Sequence, residues 1–337
     1  MAYQEIPKGS GPSAETAEDL SAVQRLKIEN ILCPVDFSDF SRRALHYAFS
    51  LARHFGSRLL VQHTVQPPAY LFLEGQGVSP SAVQQYVQGQ MQGSREEIAR
   101  MLLAGGAEPA EVSVLLNVGN VCDHIVDTIA KEQIDLLIMG THGRKGFNRW
   151  VLGSVTQGMV HRAACPVLVV GQPRRGFAHP EESQTIQLRT ILLATDFSAD
   201  SDRALAYALS WGCEWGAKVV VFHAVEEIPA AMKGVVDLFP EYNPYFDRQV
   251  ASAWAQIRQL IPEAAEAWCE VSYEVRHSNP KEEILRVAEE KRADLIIMGA
   301  RGGGSAVPWG SVSSAVVGDG RFPVMVVPAA AERVDSS

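Results

Sequence analysis

The chain is written twice. Shifted by 160 positions, residues 31–65 fall on residues 191–225 without a gap, and sixteen of the 35 pairs are identical. They include Asp36/Asp196, Phe37/Phe197, Ser38/Ser198, Gly56/Gly216 and His63/His223. Farther along, the offset drifts to 159 at Gly140/Gly299 and to 157 at Gly153/Gly310, as two short loop deletions would produce. So long a period rules out a solenoid, whose repeats run to roughly 20–50 residues. It predicts two copies of one domain of about 145 residues each, which suits a 337-residue chain. The boundaries read as a mobile tail over residues 1–26, a domain over 27–172, a polar, turn-rich linker over 173–186 and a second domain over 187–330.

Within each copy, apolar runs alternate with segments of helical spacing. In the first, residues 30–35, 59–65, 111–118, 136–139 and 167–170 read as strands; helices are expected from Ser41 and over 94–104, 121–132 and 154–162. Ala44, Leu45, Ala48, Leu51, Ala52 and Phe55 recur every three or four residues, and Ser38 stands where an N-cap belongs. Residues 136–139 and 295–298 are apolar throughout, as strands covered on both faces of a parallel sheet must be. The prediction is an α/β chain: two tandem Rossmann-like (flavodoxin/HUP-type) α/β/α sandwiches, each around a five-stranded parallel sheet.

In such sheets ligands bind beyond the carboxyl ends of the strands, where strand order reverses. Three elements should meet there in each copy. The first strand ends in Pro34-Val35-Asp36 or Ala194-Thr195-Asp196, whose carboxylate can accept from ribose hydroxyls. The second strand ends in His63-Thr64-Val65 or His223-Ala224-Val225, whose backbone can pair with an adenine edge. The fourth runs through Met139 into Gly140-Thr-His-Gly143 and, nine residues on, Gly153-Ser154; its counterpart is Gly299-Ala-Arg-Gly302 and, after seven, Gly310-Ser311. Glycines let backbone N–H groups approach an anion, and a following helix start adds free donors and a positive dipole end. The hydroxyls of Ser154, Thr156, Ser311 and Ser313 are expected to face the phosphates. Each element also has a plain structural reading: the aspartates as helix caps, the glycines as close-packed turns, and His63 and His223 as hydrogen-bonded core histidines. The serine that follows the last glycine in both copies tips the balance toward phosphate.

Competing chemistry is missing from the sequence. There is no G-x-x-x-x-G-K-[ST], no G-x-G-x-x-G after the first strand and no H-E-x-x-H, so neither a P-loop ATPase, a dinucleotide enzyme nor a protein-ligated metal is proposed. Ser154 has no evident base partner, which leaves no catalytic residue to nominate. A formal net charge of −9 argues against nucleic-acid or anionic-membrane surfaces as partners. No apolar stretch approaches the roughly 18 residues of a spanning helix, and the first residues lack a signal peptide's pattern, so a cytoplasmic location is expected. The five scattered cysteines read as buried reduced thiols.

The chain resembles the universal stress protein family in tandem form. The family's G-x2-G-x9-G-[ST] signature is matched by Gly140, Gly143, Gly153 and Ser154, and Pro-Val-Asp-Phe-Ser, the strand-two histidine and Cys-Pro-Val-Leu-Val-Val agree in order and spacing. The resemblance implies strand order 3-2-1-4-5 and ATP as ligand, with Mg2+ or Mn2+ on its phosphates. Carried over position by position, it implicates Pro34, Val35, Asp36, Thr64, Met139, Gly140, Gly143, Gly153, Ser154, Val155 and Thr156. It also implies that the last strands pair antiparallel, here 167–170 with 324–327 as an intrachain pseudo-dimer, with a homodimer of chains also open. The second copy departs from the signature: its spacing is two residues short, and Arg144, Lys145 and Arg149 have no counterparts apart from Arg301. The N-terminal copy is therefore the expected stronger ATP site, and Asp196, Ala224, Gly299, Gly302, Gly310, Ser311 and Ser313 form a weaker one.

The leading functional expectation is a cytoplasmic ATP-binding stress-response or signalling protein whose nucleotide state alters shape or association. Two alternatives stay open: slow ATP hydrolysis, and nucleotide-independent binding of an apolar ligand by the segments holding Tyr70, Leu71, Phe72, Phe239, Tyr242, Tyr245 and Phe246.

Overall fold

A computed structural model describes residues 26–68, 79–106, 112–141, 152–173, 176–178, 186–226, 243–261, 269–301 and 310–328, the side chains of 243–247 excepted. The first half runs β1 (Asn30–Pro34), α1 (Asp39–Phe55), β2 (Arg58–Val65), α2 (Pro80–Ala104), β3 (Ser113–Val118), α3 (Val121–Lys131), β4 (Leu136–Gly140), α4 (Ser154–Arg162) and β5 (Val167–Val170). The second repeats it: β6 (Thr190–Ala194), α5 (Ala199–Trp215), β7 (Lys218–Val225), α6 (Asn243–Gln259), β8 (Val271–His277), α7 (Pro280–Glu290), β9 (Leu295–Gly299), α8 (Ser311–Asp319) and β10 (Val324–Val327).

Each half has the expected parallel order, β3-β2-β1-β4-β5 and β8-β7-β6-β9-β10. Strand residues alternate between two apolar layers. Ile31 and Val61 join Tyr47 and Leu51 of α1 and Ile98 of α2 on one face. Leu32 and Leu60 join Ile125 of α3 and Met159 of α4 on the other. Every residue of β4 and β5 is buried, which explains their unbroken apolar sequence.

The two sheets are one. Antiparallel pairing sets Val324 against Val169, Met325 against Leu168 and Val326 against Val167, so ten strands run continuously through the chain. Without that pairing, each half would present an apolar strand edge with unpaired backbone groups. Two helices brace the seam: the Arg43 guanidinium of α1 donates to the Gly171 carbonyl, and that of Arg203 in α5 donates to the Pro328 carbonyl.

Two elements differ from the reading of the sequence. Helix α2 starts at Pro80, behind the Ser79 N-cap, and not at Ser94. Its first half is mostly solvent-exposed and so shows no apolar period, while the Ser79-Pro80 start signal stands alone. The turn-rich stretch between the halves is also more than a polar connector. Its Phe177 is fully buried, edge-on to Tyr47 of α1 at 4.9 Å and to Trp211 of α5 at 6.1 Å between ring centroids. Leu26, at the end of the expected tail, donates its N–H to Ser210 of α5 at 3.0 Å; residues 1–25 lie outside the described residues. Three cysteines, Cys33, Cys165 and Cys269, are buried; desolvation pushes the Cys165 thiol up to about 12, so it stays protonated.

Truncating a fully buried phenylalanine costs about 3–5 kcal/mol. Phe177→Ala is therefore expected to lower unfolding stability by about that amount in a denaturant titration followed by tryptophan fluorescence. A loss below about 1 kcal/mol would show that the connector does not hold the two halves together.

Candidate functional site

The carboxyl ends of β1, β2 and β4 and the first turn of α4 surround a cavity of about 1130 Å³ in the first half. Ten of the expected residues line it: Pro34, Val35, Asp36, Thr64, Met139, Gly140, Gly153, Ser154, Val155 and Thr156. Gly143, Arg144, Lys145, Arg149 and His142 lie outside the described residues, as do Gly302 and the apolar candidates Tyr70, Leu71, Phe72, Phe239 and Tyr242; Tyr245 and Phe246 lie in α6, where side chains are not described. In the second half, Asp196, Ala224, Gly299, Gly310, Ser311 and Ser313 hold the matching ends of β6, β7, β9 and α8.

The loop after the first strand of each half, β1 or β6, follows one plan. Asp36 accepts from the Ser38 N–H at 3.1 Å and from its hydroxyl at 2.6 Å, while the Ser38 oxygen accepts from the Ser41 N–H at 3.2 Å. Ser38 is thus the helix cap, and Asp36 orients it; Asp196 and Ser198 repeat the arrangement. Between them Phe37 and Phe197 adopt φ of 67° and 61°, conformations that cost a non-glycine residue about 1 kcal/mol or more. Their rings rest on His63 and His223, centroids 4.5 and 4.3 Å apart. Each imidazole Nδ1 lies within hydrogen-bond reach of a β1 or β6 carbonyl, Val35 at 2.7 Å and Thr195 at 2.8 Å, so both histidines serve the fold. Burial holds His223 below the ordinary histidine range, against the opposing pull of the Thr195 carbonyl and Asp196.

The glycine ending β4 has a packing cause. A Cβ on Gly140 would lie 2.8 Å from the Phe40 Cβ and 2.9 Å from its carbonyl carbon in α1; on Gly299 it would meet Asp200 and Ser201 at 2.9 Å. The hydroxyls two residues into α4 and α8 also have structural work. Thr156 donates to the Gly140 carbonyl at 2.7 Å, and Ser313 lies 3.1 Å from the Gly299 carbonyl; both residues are buried. Their protons tie helix to strand, and do not face outward as the sequence reading expected. Ser154 and Ser311 are exposed.

What remains for an anion is the helix start itself. Ser38, Ser79, Asn120, Ser198 and Asn279 cap α1, α2, α3, α5 and α7 with side-chain oxygens. Gly153 and Gly310 give α4 and α8 no side-chain cap. Among helices with a described N-cap, only these two leave their first amides to be satisfied by something else.

Two parts of the wall were not foreseen. Gln62 of β2 lines the cavity, and so does a face of α2 made by Tyr86, Gly89, Gln90, Gly93, Ser94 and Glu97. Their three- and four-residue spacing was legible once the Ser79-Pro80 start was recognised.

Both halves match the model of the universal stress protein family, over residues 27–171 and 187–328. The chain belongs to the universal stress protein family. A universal stress protein of Thermus aquaticus is 33% identical over 143 residues, 42% of this chain and 98% of the relative. One of Methanocaldococcus jannaschii is 28% identical over 147 residues, 44% of this chain and 84% of that protein. A universal stress protein of Mycobacterium bovis is 28% identical over 196 residues, and the match spans 62% of its length. In fold, this tandem universal stress protein is similar to the crystal structure of a universal stress protein from Archaeoglobus fulgidus, with a TM-score of 0.58 at 23% identity over 89% of this chain and 96% of the other. Among the described residues no helix is long and apolar enough to cross a membrane.

Gly140→Ala forces a methyl into the start of α1. The expected loss is about 1–3 kcal/mol of stability, measured by chemical denaturation; an unchanged midpoint would mean that α1 does not press on this glycine.

Proposed function

We propose that this tandem universal stress protein binds ATP in the cavity of its N-terminal half and acts in the stress response through nucleotide-dependent change of shape or association. The observation that carries the reading is the uncapped start of α4, opening into a cavity bounded by Asp36, Thr64 and Gly140. A polyphosphate supplies the acceptor that Gly153 lacks, and the amides of the first turn and the helix dipole both favour it. Ribose hydroxyls would meet Asp36, and adenine the end of β2. A divalent ion, Mg2+ or Mn2+, would ride on the phosphates; the protein's own contribution is backbone amides and a close-packed turn, which hold phosphate oxygens and not a bare cation. The acidic chain is read as cytoplasmic, without nucleic-acid or membrane partners.

The second half is proposed as the weaker site. Its one remaining cation, Arg301, is turned away from this work: its backbone N–H and its Nε lie 3.1 and 3.4 Å from the Asp200 carboxylate at the start of α5. The residue 160 positions earlier is Phe40, so the first half places no carboxylate there. A carboxylate at the end of β9, beside Gly299 and Arg301, disfavours a triphosphate there. The β5–β10 seam makes the chain, on this reading, an intrachain pseudo-dimer with one strong and one weak site.

Gly153→Asp separates folding from binding. Gly153 sits at φ −61° and ψ 140°, open to any residue, and Asp is a preferred N-cap. The variant is expected to keep or raise its stability while ATP affinity, measured by calorimetry, falls by at least about tenfold as the carboxylate takes the phosphate's donors. Gly310→Asp should change the affinity of the strong site little. Equal affinity in wild type and Gly153→Asp would overturn the assignment.

A further inference from the structure

The floor of the same cavity carries two polar side chains that folding does not explain. Gln62 and Thr64 follow Leu60 on one face of β2, and all three are buried, at 1%, 8% and 0% exposure. Leu60 belongs to the apolar layer beneath α3 and α4. The main chain of Gln62 is fully engaged in the sheet: it pairs with Pro34 and Leu115, and its carbonyl accepts from the Val35 N–H at 2.8 Å. Its side chain is not. Among the described residues, neither Oε1 nor Nε2 has a hydrogen-bond partner, and the Thr64 hydroxyl has none either. A buried amide left this way lowers stability relative to an apolar residue of the same shape. The second half shows the apolar solution in the same strand, where the residues 160 positions on are Phe222 and Ala224. Phe222 is equally buried, and its carbonyl accepts from the Thr195 N–H at 2.9 Å in the same register.

We propose that Gln62 is the residue that selects the base in the N-terminal site. The inference rests on the nucleotide reading above and deepens it. A carboxamide presents one acceptor beside one donor. Adenine answers with an exocyclic amine beside a ring nitrogen, so both bonds form at once. On the edge that carries adenine's N7 and 6-amino group, guanine offers two acceptors, N7 and O6, and leaves Oε1 unmatched. Both amide atoms are buried, so engagement takes a rotation of the outer torsions of Gln62 toward the cavity that the residue lines. Thr64, two residues along the same face, supplies a further hydroxyl next to that edge. Phe222 and Ala224 give the second half no such reader, and a nucleotide held there would be chosen without regard to its base edge.

The test uses the full chain and three probes: ATP, GTP and purine riboside triphosphate, which is ATP without its 6-amino group. Calorimetry of the wild type is expected to show ATP bound about tenfold to a hundredfold more tightly than the other two. Gln62→Met keeps the volume and removes both polar atoms; it should bring ATP down to the level of purine riboside triphosphate while that ligand shifts by less than about threefold. The unliganded variant should also melt several degrees higher, because the unpartnered amide is gone. Should Gln62→Met fold poorly, Gln62→Leu, the residue β2 already carries at position 60, makes the same comparison. Discrimination that survives both substitutions overturns the role of Gln62 and leaves the nucleotide reading standing. A wild type that binds none of the three probes overturns both.

Discussion

Everything in this molecule depends on a strip of four valine-rich residues in each half having the other to pair with. Val167–Val170 and Val324–Val327 are buried throughout, and each would be a sticky sheet edge in a single domain. Their antiparallel pairing joins ten strands into one sheet. The same pairing sets the helices against each other. Helices α1 and α5 meet with Trp211, Trp215 and Phe55 in contact, and His54 stacks on Trp215 at 4.6 Å while reaching Glu214 at 3.0 Å. Helix α1 therefore touches the cavity at its start and the other half at its end.

The duplicated halves work as each other's control. Where both share a feature, such as the strained Phe37 and Phe197, the histidines beneath them and the packed Gly140 and Gly299, the simplest cause is the fold. Where they differ, the cause lies elsewhere. Gln62 against Phe222 and Phe40 against Asp200 change polarity at positions of equal burial or equal register. In each case the residue in the first half is the one that suits the proposed ligand, with its anionic tail and polar base.

The fold was almost wholly legible, because a parallel sheet leaves a strong signature: apolar strands, capped helices and a repeat that confirms each element. Helix α2 was the exception, since an exposed helix has no apolar period to betray it. Phe177 was hidden for the opposite reason, one aromatic among polar neighbours whose burial depends on two distant helices. At the site, the place of Gly140 and Gly153 on the cavity wall could be read from glycine spacing. The committed hydroxyls of Thr156 and Ser313 could not, because a side chain's partner is a matter of distance. Gln62 carried a signal in the repeat itself, a polar residue aligned with phenylalanine in a buried strand.

The central claim is that the first amides of α4 hold a polyphosphate. Its most direct test follows backbone amide resonances of Ser154, Val155 and Thr156 as ATP is added to isotope-labelled protein. The account predicts large shifts there, saturating before any change at Ser311, Val312 and Ser313. Amides of α4 that stay unmoved at millimolar ATP, or that move only after those of α8, would contradict it.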